Sequence, residues 1–131
     1  MQRWLGRYSE VFYALFRFVA GALFACHGAQ KLFGVLGGQK MTGVPMMLVG
    51  GIIEFAGGIL IAVGLLTAWA AFIASGEMAV AYFMAHAGKG GFWPLQNHGE
   101  LAVLYCFVFL YFAAHGGGIW SIDSVLRKRS G

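Results

Sequence analysis

The 131-residue chain is expected to be all-α, an integral membrane four-helix bundle with both termini in the cytoplasm. Three observations lead there. The composition is 60% hydrophobic and 11% charged, against roughly 25% charged in an average soluble domain. The apolar residues fall into four runs, each about the 20 residues a helix needs to cross a bilayer. The few ionisable residues inside those runs share helical faces with glycine and alanine, the residues that let helices approach closely in lipid.

Helix one is expected over 10–33. It follows a basic and aromatic flank, Arg3, Trp4 and Arg7, suited to a membrane surface. Ser9 offers an N-cap and Gly34 a stop. At ~100° per residue, Arg17, Gly21, Phe24, Gly28 and Lys31 fall on one stripe, with His27 at its edge. A glycine-rich loop then leads to helix two, expected over 44–66, with Pro45 in its first turn. Glu54 is its one carboxylate, on a stripe with Gly50, Gly57, Ile61 and Gly64. Facing lipid, that charge would cost roughly 3 kcal/mol or more, so Glu54 is expected to point inward, paired with a neighbour or carried in its neutral form. Helix three, 68–86, repeats the device with Glu77 beside Ala70, Ala74 and Ala81. The loop 87–96 carries an interfacial Phe92-Trp93 pair and Pro94. Helix four is expected over 97–115, opening on Asn97-His98-Gly99-Glu100, which has the spacing of a capping box. An amphipathic basic tail, 119–131, follows Gly116-Gly117-Gly118.

Loop charges set the orientation. Arg3, Arg7, Arg127, Lys128 and Arg129 lie on one side, and Lys31, Lys40 and Lys89 on the other. The bias places both termini in the cytoplasm. His27, Lys31, His86, His98 and Glu100 then lie near the outer ends of their helices, with Glu54 and Glu77 nearer mid-depth. Glutamates at 54, 77 and 100 are evenly spaced, but the interval is one helix plus a turn rather than a sequence repeat.

Several functions are disfavoured. Four spans leave no room for an extramembrane domain of useful size. The net charge of +4 is scattered rather than gathered into a nucleic-acid-binding face. Cys26 and Cys106 have neither CxxC nor CxxCH spacing and read as buried thiols. Arg17 interrupts what would be the apolar core of a lipoprotein signal ending at Cys26. Residues 34–40, GVLGGQK, lack the Gly-Lys-Ser/Thr of a phosphate loop, because Gln39 precedes the lysine and Met41 follows it.

What remains is an outer-half polar pocket lined by Arg17, His27, Lys31, Glu54, Glu77, His98 and Glu100. Ionisable groups inside a membrane are costly and often mark proton, ion or substrate sites. The competing expectation is structural, with Arg17 or Lys31 neutralising glutamates and Glu100 serving its helix cap. Catalytic residues are left unassigned. No metal site is expected, since a carboxylate-bridged centre draws on Glu-x-x-His pairs and His98 and Glu100 diverge. Haem held by His27 and His98 is disfavoured because each lies near a helix end. The aromatics of helices one and four, Phe107, Phe109, Tyr111 and Phe112 among them, read as core or lipid-facing bulk ahead of a quinone slot.

The arrangement resembles the DoxX family of small four-helix membrane proteins. The resemblance rests on Arg17, Gly21, Phe24, His27-Gly28 and Lys31-Leu32, on Glu54, Gly57-Gly58, Gly64 and Thr67, and on Asn97-x-Gly99-Glu100-Leu101. It continues in Gly116-x-Gly118-x-Trp120-Ser121-Ile122-Asp123. His115-Gly116-Gly117 departs from the Gly-Pro-Gly type turn of many relatives. The resemblance implies a multi-pass protein of a bacterial-type inner or plasma membrane, in a family associated with quinone-reducing thiosulfate oxidation and with oxidative-stress defence. The leading expectation is support of a redox process by binding quinone or a small sulfur compound. The alternatives are a non-catalytic anchor or scaffold of an oxidoreductase complex, and a small-molecule carrier. Expected partners are the lipid bilayer, a soluble or membrane oxidoreductase, and further copies of the chain.

Overall fold

Two pairs of glycines decide how the first two long helices meet. In the computed structural model, which describes residues 1–130, helix α1 (Ser9–Phe33) and helix α2 (Pro45–Val63) run antiparallel. Gly21 and Gly28 of α1 lie against Gly58 and Gly51 of α2. A Cβ on Gly21 would sit 2.7 Å from the Gly58 carbonyl oxygen, and one on Gly28 2.7 Å from that of Gly51. The two backbones are therefore in direct contact, and no larger residue fits between them. This contact face lies one residue round from the Gly50–Gly57 stripe expected from the sequence.

Helix α3 (Thr67–Ala81) and helix α4 (Glu100–His115) form the second pair. Buried Ala70, Ala71 and Ala74 give α4 a smooth bed, and the Ser75 hydroxyl donates to the Cys106 carbonyl at 2.7 Å. Aromatic rings join the pairs. Phe24 of α1 meets Phe109 and Tyr105 of α4 at ring-centroid distances of 4.6 and 5.3 Å, and Tyr13 and Phe16 meet Phe112 at 5.4 and 5.1 Å. Such contacts each add about 0.5–1.5 kcal/mol beyond area burial. Phe109 and Phe112 are thus core, while Phe107 and Tyr111 face outward.

Three helical segments, Gln2–Phe33, Pro45–Val63 and Thr67–His86, are long and apolar enough to cross a membrane, and Glu100–His115 is a shorter apolar helix. The expected boundaries shift for local reasons. Ser9 caps nothing, because a turn at Gln2–Leu5 and a 3-10 turn at Gly6–Tyr8 lead into α1. α2 stops at Val63, three residues early, since Gly64 and Leu66 take left-handed φ values of 73° and 52°. The third segment continues past Ala81 as a π-helical turn, Tyr82–His86, closed by Ala87 N–H donating to the Tyr82 carbonyl at 2.8 Å. The expected capping box does not form. Asn97 lies in a separate short turn, Pro94–Asn97, and α4 begins at Glu100 with no side-chain cap. Asn97 instead orders the preceding loop. Its amide donates to the carbonyls of Gly91 and Phe92 and to the Tyr82 hydroxyl, and its Oδ1 accepts from Gly99 N–H at 2.9 Å.

The end of the bundle that holds the chain termini is closed by two side chains of opposite charge. Arg17, 2% exposed, donates to the carbonyls of Ile61 and Ala62 in the last turn of α2 and to those of Gly117, Ile119 and Trp120 beyond α4. A cation there complements the negative end of the α2 dipole. Asp123 opens helix α5 (Ile122–Ser130) and caps α3 from 56 residues away, accepting from Leu66 N–H at 2.8 Å and Thr67 N–H at 2.9 Å. The Asp123 amide returns a bond to the Gly64 carbonyl at 2.8 Å. Each helix end at the α2–α3 turn thus receives the charge its dipole favours. Gly131, the last residue of the expected tail, lies outside the described residues.

Two predictions follow from these contacts. Gly58→Leu forces α1 and α2 apart and should lower stability by ~3 kcal/mol, the upper end of overpacking costs. Gly76→Ala, whose Cβ meets open space, should be neutral or stabilising by up to about 1 kcal/mol. Unfolding in mixed micelles compares them. For Asp123, burial alone would push the carboxyl up, but the Thr67 and Leu66 amides, with Arg127 nearby, hold it below the ordinary carboxylate range. A depressed folded-state pKa adds stability that is present above the unfolded pKa of about 3.9 and is lost as pH falls through the folded value. The stability gap between wild type and Asp123→Asn should therefore stay constant from neutral pH down to roughly pH 4 and close below it.

Candidate functional site

The Gly28–Gly51 contact brings Lys31, one turn further along α1, beside Glu54 on α2. Lys31 Nζ forms an ion pair with Glu54 Oε2. Glu54 is 3% exposed and Lys31 25%, so the acid is buried and its partner reaches it from the rim. Glu77 approaches from α3. The meeting point is Gly50, where the position of an added Cβ lies 3.0 Å from Glu77 Oε1, 3.6 Å from Glu54 Oε2 and 3.9 Å from Lys31 Nζ. A side chain at residue 50 would occupy the space these three groups share. Glu77 Oε2 is buried and has no hydrogen-bond partner among the described residues.

These groups sit in the wall of a cavity of about 940 Å³ enclosed by all four long helices. The cavity occupies the half away from the chain termini, called distal below. Its walls are mainly apolar, with Met47, Ile53, Met78 and Leu101 among them, and its polar groups are His27, Lys31, Glu54, Glu77, His86, His98 and Tyr105. Towards the termini it ends against packed side chains, since Phe24, Ile61, Phe109 and Phe112 are fully buried. At the distal mouth, His86 Nδ1 lies 3.2 Å from the Asn97 carbonyl oxygen. His98 is exposed there, with a left-handed φ of 60°.

Of the residues expected to form the pocket, His27, Lys31, Glu54, Glu77 and His98 come together around this cavity. Two do not. Arg17 lies at the opposite end, held by five carbonyls and remote from any glutamate pairing. Its helical stripe was read correctly, but its acceptors are backbone atoms of other segments. Glu100 is exposed on the far side of α4, beside Pro94, Val103 and Phe107. It shares the outer face of α4 with Val103, Leu104 and Phe107, whereas Leu101, Ala102 and Tyr105 line the cavity. Cys26, expected to be buried, is exposed, and Cys106 is half-buried. Gly50, Tyr105 and His86 are site residues that the sequence reading did not include. Tyr105 meets His27 edge-on at 6.1 Å. A signal existed for Gly50, which shares the Glu54 stripe, and for Tyr105, the one hydroxyl-bearing ring in the middle of helix four.

Chemically, the site combines one compensated acid with one uncompensated acid inside an apolar chamber. No group of three or more His, Cys, Asp and Glu side chains is placed to hold a metal ion among the described residues. Removing one partner of a buried ion pair leaves the other charge stranded. Lys31→Met should therefore lower stability by about 3–5 kcal/mol, and adding Glu54→Leu should recover most of the loss. A double-mutant cycle in mixed micelles measures both.

A Haemophilus influenzae protein, named only as uncharacterized, is 45% identical across 95% of this chain and 98% of its own length. No solved structure matches. The DoxX family model matches residues 12–87, the stretch that carries Arg17, Lys31, Glu54 and Glu77. This multi-pass, membrane-embedded chain belongs to the DoxX family.

Proposed function

We propose that the protein supports a redox process in a bacterial inner or plasma membrane by holding a quinone headgroup in the distal cavity. In this reading α4 serves as a fourth span and both termini face the cytoplasm. The observation that carries the proposal is the convergence of Lys31, Glu54 and Glu77 on Gly50, in the wall of a mainly apolar chamber. At about 940 Å³ the chamber is at the upper end of the ~300–1,000 Å³ range of ligand pockets, enough for a substituted ring and the start of its chain.

The polar groups suit such a headgroup. Lys31 and the cavity histidines are hydrogen-bond donors for a quinone carbonyl, and Met47, Met78 and Leu101 pack against a flat ring. A quinone accepts two electrons and two protons on reduction to the quinol. Glu77, with one oxygen unpartnered, is placed to hand over a proton, and His86 and His98 at the mouth connect the chamber to water. Electrons would come from a reduced sulfur compound or an oxidoreductase partner at the distal surface. A transmembrane carrier is disfavoured, because the packed aromatic layer and the Arg17 network close the other half.

The test begins with protein purified into lipid nanodiscs, extracted and inventoried by mass spectrometry. Quinone should be present at near-stoichiometric levels, and Gly50→Leu should lower it by about tenfold or more. Glu77→Gln should retain the quinone while slowing proton uptake during its reduction by on the order of 100-fold. Wild-type protein that neither copurifies with quinone nor binds it on titration would rule out this function and leave the anchor or scaffold role.

A further inference from the structure

Between α2 and α3 the cavity comes close to the surface of the bundle. Helices α2 and α3 are held together at the Gly64–Leu66 turn, where Leu65 N–H donates to the Leu60 carbonyl and Asp123 ties down the start of α3. Towards the distal end the cavity lies between them. The cavity lining here comprises Val49 and Ile53 on α2, Ile73, Gly76 and Val80 on α3, and Met84 in the π-helical turn that continues α3. These residues line the cavity, yet Val49, Ile73, Val80 and Met84 are 56%, 53%, 53% and 54% exposed on the outside of the bundle. Residues that do both stand where the cavity wall is a single side chain thick. Gly76 thins the wall further, since a Cβ there would meet nothing within 4 Å.

We infer that this thin wall is a side window through which a membrane-dissolved amphiphile enters, its polar head reaching Gly50 while its hydrocarbon chain stays between α2 and α3. The inference rests on the quinone reading above and narrows it to ligands that carry a long apolar chain. The window has no charged residue on its rim, and in a bilayer it faces acyl chains rather than water. The polar groups begin one helical position inside it, since Glu77 follows Gly76 and Gly50 follows Val49. A molecule with one polar end and one apolar chain matches that order of surfaces. The distal mouth, bordered by His86 and His98, offers polar groups instead and suits water-soluble reactants. Side chains that flex, Met84 on the rim and Met78 behind it, let the window fit chains of differing width.

The experiment plugs the window and leaves the distal mouth open. Wild type, Gly76→Trp and Val80→Trp are placed in nanodiscs and titrated with a long-chain isoprenoid quinone and with a tail-less dimethoxy-methyl-benzoquinone. Both tryptophans project into open or exposed space, and two rim positions guard against local damage at Glu77. Each variant should weaken binding of the long-chain quinone by about tenfold or more while changing that of the tail-less ring by less than about threefold. Equal effects on both probes, or none on either, would overturn the window and leave the headgroup site standing. Failure of wild type to bind either probe would overturn both. Light scattering on the same samples adds a further check. If wild type is dimeric and the tryptophan variants are monomeric, the window is covered by a second copy and the inference fails.

Discussion

Burying Glu54 in an apolar bundle is tolerable only because Lys31 reaches it, and Lys31 reaches it only because α1 and α2 touch backbone to backbone. A carboxylate stripped of water is several kcal/mol less stable unless a counter-charge stands beside it. Lysine is long, but its head must arrive at a defined depth. The Gly21–Gly58 and Gly28–Gly51 contacts set that depth by fixing both the separation and the register of the two helices. Replacing glycine by alanine at either contact would shift the pair that the site is built around. The cost of burying the acid and the glycine spacing are thus one constraint seen at two levels.

The bundle is asymmetric along its axis, and the asymmetry has a physical origin. At the end bearing the termini, every helix end at the α2–α3 turn has a charged partner: Arg17 on the carbonyls of α2, and Asp123 on the amides of α3. The rings of Phe24, Phe109 and Phe112 fill the layer above. Nothing comparable draws α2 and α3 together in the distal half, where glycine and alanine on the inner faces leave space that no larger side chain fills. One half is a closed structural plug, and the other is a chamber with ionisable walls. Both use charged residues, but among the described residues only the chamber leaves a buried carboxylate oxygen without a partner.

Much of this was legible in the sequence for one reason: a charge inside an apolar run must face the bundle. That argument alone identifies Lys31, Glu54 and Glu77, and helical periodicity places each on its inner face. Periodicity does not reveal which group lies opposite. Arg17 shares a stripe with Lys31, so periodicity groups it with the acids, whereas its partners are carbonyls exposed where α2 ends and the chain turns beyond α4. Backbone acceptors leave no mark in side-chain patterns. Glu100 misled in another way, because the capping-box spacing presumes a helix beginning at Asn97. The side chain of Asn97 is engaged by Gly91, Phe92 and Tyr82, so the helix begins three residues later and the acid turns outward. The expected helix ends at 66 and 68 were off for a related reason, as left-handed backbone at Leu66 is set by Asp123, far away in the chain.

The two acids at Gly50 are not equivalent, and their difference bears on mechanism. Glu54 is held by Lys31 in a fixed geometry across two helices. Glu77 stands on α3, with one oxygen towards Gly50 and the other without a partner among the described residues. In the proposed function, a quinone headgroup in the chamber would meet Glu77 without first breaking an ion pair. Displacing Lys31 instead would strand Glu54 in an apolar wall. A proton can therefore leave or join the site at Glu77 while the Lys31–Glu54 pair keeps the helices in register. On the proposed function, separating the pair that holds the architecture from the acid that would pass the proton would let chemistry proceed at this depth without loosening the fold.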